Sequence, residues 1–386
     1  MKYKLLYIYS SASMPLYFQK GQNLFLKEQG FDISLISNDD NFLNEVKDRD
    51  GISIFPFKIN RRISFFSDII LLINLICVII KIKPDIVHAG SPKSAIFGML
   101  AAFICRVKVR FYACHGSKTD QCQGFTRKVY RLIEKFTAFL STKVWCVSPS
   151  LLEFIVSERI VSKDKVFTLG QGSANGFKRE WLQCNVHDIP DIIKTIKIKK
   201  SENYFPLILF SGRICCVKGI EILTKAWLKL RERFPDARLM LIGSIDEVDP
   251  PPNINLLRDD DRVILPGLIN QGESGRCYEI ADLLVLPSFY GEGFGNVLGE
   301  AGLFALPTVA SNIIGLQDAV IDGVTGTLVP PGDADSLYEA ISNYLDNPEL
   351  AKTHGLAARE RYETYFKPEL IWNGLCAEYK NLFSKT

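Results

Sequence analysis

The sequence predicts an α/β chain of two domains, each a parallel β-sheet covered by helices on both faces. Three observations predict it. At 386 residues the chain exceeds what one ordinary core organises and suits two domains of common size. Short, near-continuous apolar runs alternate with longer helical stretches, the pattern of βαβ units whose strands are buried on both faces. The alternation breaks once near the middle and then resumes. With 47% apolar and 23% charged residues, the composition is that of a globular chain and excludes a fibrous or disordered one.

In the first half, β-rich runs predict strands at 4–9, 31–36, 52–57, 85–89, 107–113, 143–147 and 165–169. Helices are expected at 18–29, 67–81, 93–105 and 125–141. Gly170, Gly172 and Gly176, followed by the basic run 194–200, mark the interruption. Strands are then expected at 207–211, 238–242, 263–265, 283–286, 308–310 and 326–329, with helices at 219–233, 275–281, 296–304 and 335–345. The expected organisation is a domain over 1–175, a linker over 176–205, a second domain over 206–365, and a C-terminal helix over 366–386 packing back on the first domain. No fixed-period repeat appears, which excludes a solenoid.

Net charge is only +3, but it is unevenly spread. Residues 1–200 hold 30 Lys and Arg against 17 Asp and Glu, while the remainder holds 16 against 26. By charge alone a basic first half fits a bilayer surface or a lipid diphosphate as well as a nucleic acid, and attraction between the domains is the plain alternative. Ten cysteines at irregular spacing, with Cys215 and Cys216 adjacent, read as reduced thiols of a cytoplasmic protein rather than a disulfide framework. The opening run with Lys2 and Lys4 reads as a strand, not a signal peptide. The apolar stretch 69–82 holds Asn74, ends at Lys81 and Lys83, and is shorter than the roughly 20 residues of a spanning helix. It is expected to be a buried helix, with a surface-lying amphipathic segment as the alternative.

The chemistry concentrates in PSFYGEGFGNVLGEAGLFALP, residues 287–307. A strand ends before it, so the loop belongs to the sheet edge where open α/β folds bind ligands. Gly291, Gly293 and Gly295 allow close backbone approach, and the helix starting near Asn296 points unpaired N–H groups at whatever lies there. Glu300 falls one turn into that helix, where a carboxylate can accept from a ribose diol; Glu292 on the loop can meet sugar hydroxyls. Taken alone, the two acids could equally be a solvated loop residue and a helix-start acid favoured by the dipole. A second cluster follows strand 207–211: Arg213, then Lys218 and Gly219 opening a helix. Two cations at a helix start form a cradle for a diphosphate, Arg by a bidentate grip and Lys as a compact charge.

The blocks SGRICCVKGIEIL, ADLLVLPSFYGEGFGNVLGEAGLFALPTVAS and IDGVTGTLVPPGDADSL resemble, in this order, the second domain of the retaining glycosyltransferases of family 4. The resemblance covers most of 205–365 and rests on three separate blocks. It implies the glycosyltransferase-B architecture, two Rossmann-like domains facing across a cleft that holds the chemistry. Carried over by position, Arg213 and Lys218 fall on the diphosphate pair, Glu292 on the acid that contacts the donor sugar, and Glu300 on the ribose-contacting acid. Gly293, Phe294, Gly295 and Asn296 complete the implied donor-binding loop. In the first half FQKGQNLFLKEQGFDISLIS, KPDIVHAGSPKSAIFGMLAA and VRFYACHGS look like bacterial members that extend surface polysaccharides or lipid-linked oligosaccharides.

His115, in ACHGS after strand 107–113, matches a position from which similar enzymes reach the donor sugar, and completes an implied catalytic set with Glu292, Arg213 and Lys218. His88, inside its strand, reads equally as a structural or a functional residue. Arg127, Arg131 and Lys135 recur every four residues as a basic stripe, with Val129, Leu132, Ile133 and Phe136 as the apolar face. Such a helix could rest on an anionic membrane or on the acceptor's diphosphate, with an ordinary core-packing helix of solvated back as the alternative; Arg61 and Arg62 beside Phe65 and Phe66 suggest the same. One departure from the family is SSASMPLYF at 10–18, where the usual glycine-rich loop has no glycine.

The expected reaction is transfer, with retention, from a UDP-linked sugar to a glycan or lipid-diphosphate-linked acceptor. The diphosphate itself would take the proton. The alternatives are a nucleotide-sugar epimerase of the same architecture or a non-catalytic sugar-nucleotide-binding subunit. No His/Cys ligand cluster occurs, and neither metal nor cofactor is expected. Expected partners are the nucleotide sugar, the acceptor and an anionic membrane surface on the cytoplasmic side, not nucleic acid.

Overall fold

The computed structural model describes residues 3–59, 64–183 and 191–385. The chain forms two compact units, Met1–Gly176 with Pro368–Thr386, and Phe177–Lys367. In unit 1 the strands are β1 (Tyr3–Ile8), β2 (Phe31–Ser37), β3 (Ser53–Pro56), β4 (Ile86–Gly90), β5 (Val109–Cys114), β6 (Lys143–Cys146) and β7 (Val166–Thr168). They form one parallel sheet in the order β3-β2-β1-β4-β5-β6-β7. Its helices are α1 (Ser13–Phe18), α2 (Gln22–Glu28), α3 (Leu43–Asp50), α4 (Phe65–Ile82), α5 (Pro92–Ile104), α6 (Gly124–Leu140) and α7 (Pro149–Ser157). The apolar run of β1 is buried because it lies mid-sheet, paired with β2 and β4 and covered on both faces. Pro92 and Pro149 open their helices, where a preset φ helps and the missing donor is not needed, and Ser148 Oγ accepts from Leu151 N at 3.4 Å as a cap.

Unit 2 begins within the expected linker. Leu182 and, on α8 (Asp191–Glu202), Ile193 and Ile196 are buried in the unit 2 core, so the apolar side of that basic run makes it part of the domain. The strands β8 (Leu207–Ser211), β9 (Arg238–Ile242), β10 (Val263–Gly267), β11 (Leu283–Leu286), β12 (Thr308–Ser311) and β13 (Thr327–Val329) form a parallel sheet in the order β10-β9-β8-β11-β12-β13. Around it lie α9 (Ile220–Arg233), α10 (Ile254–Arg258), α11 (Gln271–Ile280), α12 (Asn296–Leu303), α13 (Leu316–Ala319), α14 (Ala334–Asp346) and α15 (Pro348–Tyr365). The buried Trp227 of α9 donates from Nε1 to Asp260 Oδ2 at 3.0 Å, satisfying the one polar atom that its burial would strand. The last helix, α16 (Pro368–Lys385), belongs to unit 1, where Trp372 Nε1 donates to Asn175 Oδ1 at 2.7 Å and Tyr379 bonds His88.

Three expectations need correction. The helix expected over 18–29 begins only at Gln22, because Gly21 at φ +79° separates it from the short helix α1, which ends at Phe18. The helix expected to be buried, α4, buries only Asp68, Leu71, Leu75 and Ile79 and exposes Phe66, Ile70, Ile73 and Ile80 along its opposite side. Its apolar character is all-round, and among the described residues the helix it packs against most is α5. On α6 the expected division into a buried apolar face and a solvated basic one does not hold. Arg127 and Arg131 pair with Glu158 at the end of α7, at 2.8 and 3.7 Å, while Val129, Leu132 and Phe136 are exposed together with Lys135 of the basic stripe. Arg61 and Arg62 lie outside the described residues. The nine cysteines among the described residues are all free thiols.

Candidate functional site

In each sheet the strand order reverses once, between β1 and β4 in unit 1 and between β8 and β11 in unit 2. At such a point the connections leave in opposite directions from neighbouring strands, which opens a crevice beyond their carboxyl ends. In unit 2 the loops leaving β8 and β11 carry the residues singled out by spacing. After β8 a single turn of 3₁₀ helix, Cys216–Lys218, leads to Gly219, which caps α9 at φ +71°. A Cβ there would stand 1.9 Å from Pro287 O, so glycine alone lets the two loops close on each other. Phe289 N donates to Val217 O at 2.9 Å across the same junction.

This junction brings together Lys218 and Glu292, which form an ion pair with both side chains largely withdrawn from water. Ser288 Oγ donates to the same carboxylate oxygen at 2.7 Å. Glu300 sits one turn into α12, where burial raises its carboxyl above the usual range while hydrogen bonds oppose the shift. Those bonds come from Tyr278 OH to Oε2 at 2.8 Å and Gln271 Nε2 to Oε1 at 3.4 Å, both from α11. The Tyr278 hydroxyl lies 3.5 Å from Ser211 Oγ, so the end of β8, α11 and α12 are tied through this carboxylate.

Arg213 is turned elsewhere. Its guanidinium pairs with Asp246, beyond β9, at 2.7 Å, and that carboxyl is held low chiefly by the Val248 and Asp249 amides, with Arg213 adding to them. Phe294 departs from its expected place: its ring packs 5.3 Å from Phe366 and 6.1 Å from Phe177 in the core, leaving only its backbone on the loop. That burial anchors the loop while Gly293, Gly295 and Asn296 remain at the start of α12, with Gly295 capping it at φ +70°. A Cβ on Gly315 would meet Glu292 O at 2.7 Å, a further tight approach that shapes the loop.

In unit 1 His115 follows β5 and borders a small hollow with Tyr9, Phe18, Gln19, Gln22 and Trp145. Its Nε2 is buried without a hydrogen-bond partner, and desolvation pushes its pKa down to about 4, so near neutral pH the ring is uncharged. The absent side chain of Gly90 leaves room for Tyr9 and His115, since a Cβ would lie 2.7 Å from the Tyr9 ring. His88 is a structural residue: fully enclosed among Tyr7, Phe111 and Tyr379, bonded through Nδ1 to the Tyr379 hydroxyl and held neutral by burial. The loop after β1 is tied to the loop after β2, Ser11 Oγ and Ala12 N both donating to Asp40 Oδ2, at 2.8 and 2.9 Å. Among the described residues no group of three or more His, Cys, Asp or Glu is arranged to hold a metal ion.

Sequence reasoning missed Ser211, Gln271, Tyr278 and Ser288, the groups that orient the two glutamates. Tyr278 alone left a signal, a large aromatic side chain whose hydroxyl has to find a partner when buried.

Comparison with known proteins matches residues 191–361 to the model of "Glycosyl transferases group 1" and residues 4–148 to that of "Glycosyl transferase 4-like". The chain is 30% identical over 378 residues to the capsular polysaccharide biosynthesis glycosyltransferase CapM of Staphylococcus aureus, covering 97% of this chain and 96% of that one. It is 26% identical over 333 residues to the UDP-Gal:alpha-D-GlcNAc-diphosphoundecaprenol alpha-1,3-galactosyltransferase of Escherichia coli, covering 84% and 83%. Among solved structures, the sucrose-phosphate synthase of Thermosynechococcus elongatus superposes with a TM-score of 0.81 at 21% identity over 99% of this chain and 100% of that one, a likeness of fold. The two Rossmann-like units described above have the glycosyltransferase-B fold, and the chain belongs to the family-4-like, group 1 glycosyltransferases.

Proposed function

We propose that this glycosyltransferase moves a sugar, with retention of anomeric configuration, from a UDP-linked donor to a glycan or lipid-diphosphate-linked acceptor in polysaccharide or glycoconjugate synthesis. The observation that carries the reading is the Lys218–Glu292 pair at the switch point of unit 2, beside the start of α9. A cation and helix-start amides there suit a diphosphate, and a carboxylate within reach suits the sugar it carries. Glu300, oriented by Tyr278 and Gln271, is assigned to the ribose hydroxyls. Arg213 is assigned to the diphosphate as well, on exchanging Asp246 for it. His115, neutral and with an unpartnered Nε2, is assigned to a sugar hydroxyl presented to unit 1. The names of the two relatives support the polysaccharide context, the UDP donor and the diphosphate-linked acceptor.

In the proposed step the bond between the anomeric carbon and the diphosphate oxygen breaks, and the acceptor hydroxyl oxygen bonds that carbon on the same face. The hydroxyl proton passes to the departing phosphate oxygen. Lys218 and Arg213 neutralise the charge that develops on the diphosphate, where fixed charges act with most effect. No resident metal or cofactor enters the proposal. The test is incubation of the purified protein with radiolabelled UDP-sugars and a lipid-diphosphate acceptor. Transfer to the acceptor with the donor's anomeric configuration supports the reading; acceptor-free isomerisation of the donor, or binding without turnover, overturns it.

A further inference from the structure

Three helices of unit 1, α4, α5 and α6, form a continuous layer in which α5 packs against both neighbours. The side of this layer turned to solvent is apolar. On α6 the exposed residues Phe125, Val129, Leu132, Phe136 and Phe139 recur at intervals of four, three, four and three, one stripe along the helix. Phe125 and Phe139 at its two ends are 80% and 70% exposed. The stripe on α4 follows the same rule from Phe66 to Ile80, and α5 adds Phe103 and Ile104 at its end. Large apolar side chains lying singly on a surface need no explanation, but a stripe of them on each of two helices of one layer marks a surface that is covered in use.

Charge selects the partner. Lys81 and Lys83 at the end of α4, and Lys128 and Lys135 beside the α6 stripe, are exposed and make no ion pair among the described residues. The carboxylates of the three helices face inward: Asp68 is bound to Lys93 and to Ser64 N, and Glu134 accepts from Ser117, Thr119 and Lys118 N. The layer therefore presents aromatic and aliphatic side chains ringed by uncompensated cations and by no exposed carboxylate of its own. A second copy meeting this patch through a two-fold axis would oppose cation to cation. A spanning role for α4 is at odds with its Leu71, Leu75 and Ile79 side, which is buried in the unit.

We propose that the α4–α6 layer docks on an anionic lipid bilayer, its aromatic and aliphatic residues entering the headgroup boundary and its lysines meeting lipid phosphates. The experiment is flotation of the full chain with phosphatidylcholine vesicles that contain or lack phosphatidylglycerol, alongside sedimentation of the lipid-free protein. Expected are binding to the anionic vesicles, weakened by salt, and at least a roughly tenfold loss of binding in the double variants F125S/F139S and F66S/I70S. UDP binding, measured by thermal shift in the same samples, should be unaltered in both variants, which separates loss of docking from loss of folding or of the donor site. The proposal is overturned if the wild type does not float, if neutral vesicles bind it equally well, or if both double variants still float. It is equally overturned if the wild type sediments as a dimer that these variants convert to monomers.

Discussion

Glu292→Gln separates the two demands placed on Lys218. Its ammonium is paired with the Glu292 carboxylate. A diphosphate arriving at the start of α9 has to compete for it. The pair is withdrawn from water but not sealed from it, so its net contribution is of the order of 1 kcal/mol, which is about fivefold in a dissociation constant. Glutamine keeps the shape of the side chain and can still accept from Ser288, but it gives up the charge. UDP carries the diphosphate without a sugar, so the variant is expected to bind it about fivefold more tightly than the wild type. Transfer should move the opposite way and slow by about 100-fold, because the carboxylate facing the reacting sugar is gone. Titration calorimetry with UDP, paired with initial rates on a radiolabelled donor, reads both quantities. The double variant with Lys218→Ala decides the cause: tightening that comes from the released ammonium disappears when the ammonium is removed. The reasoning fails if Glu292→Gln leaves UDP affinity unchanged or lower, or if the tightening survives without Lys218.

Tyr278→Phe removes a hydrogen bond that favours the ionised form of Glu300, so the carboxyl, already raised by burial, should rise further. The acid limb of kcat/KM for the donor should move to higher pH in that variant, and an unmoved limb would separate Glu300 from donor binding. His115 is held neutral down to about pH 4, whereas an unfolded chain takes up its proton near 6.5. Between those values the unfolded state binds the extra proton, so His115 costs stability progressively as pH falls through the window. Urea unfolding of wild type and His115→Gln should show a shallower acid loss in the variant; parallel curves would refute the desolvated ring. Gly219→Ala meets both a left-handed backbone and Pro287 O at 1.9 Å, and should destabilise by more than about 2 kcal/mol. Gly323→Ala, at φ +69° with open space around it, should cost only about 1 kcal/mol, and equal losses in denaturant midpoints would show that the loop contact is unimportant.

Read alone, the sequence determined where the strands of both sheets lie, and the boundaries of β8, β9 and β11 agree to the residue. A strand covered on both faces has to be apolar throughout, whichever neighbours it pairs with, so its signature is local. It also determined that Lys218, Glu292 and Glu300 follow strand ends, since position after a strand is a property of chain order. Which partners those residues meet was decided by tertiary structure. β8 and β11 are neighbours in the sheet, with Leu283 paired to Ile208, and that pairing brings the loops of Lys218 and Glu292 together. Arg213, on the same loop as Lys218, goes instead to Asp246, and Phe294 turns into the core. The outward faces of α4 and α6 were decided in the same way. An apolar or basic stripe records what a helix can bury, but which stripe is buried depends on the neighbour that packs against it, and that neighbour is set by the order of the sheet.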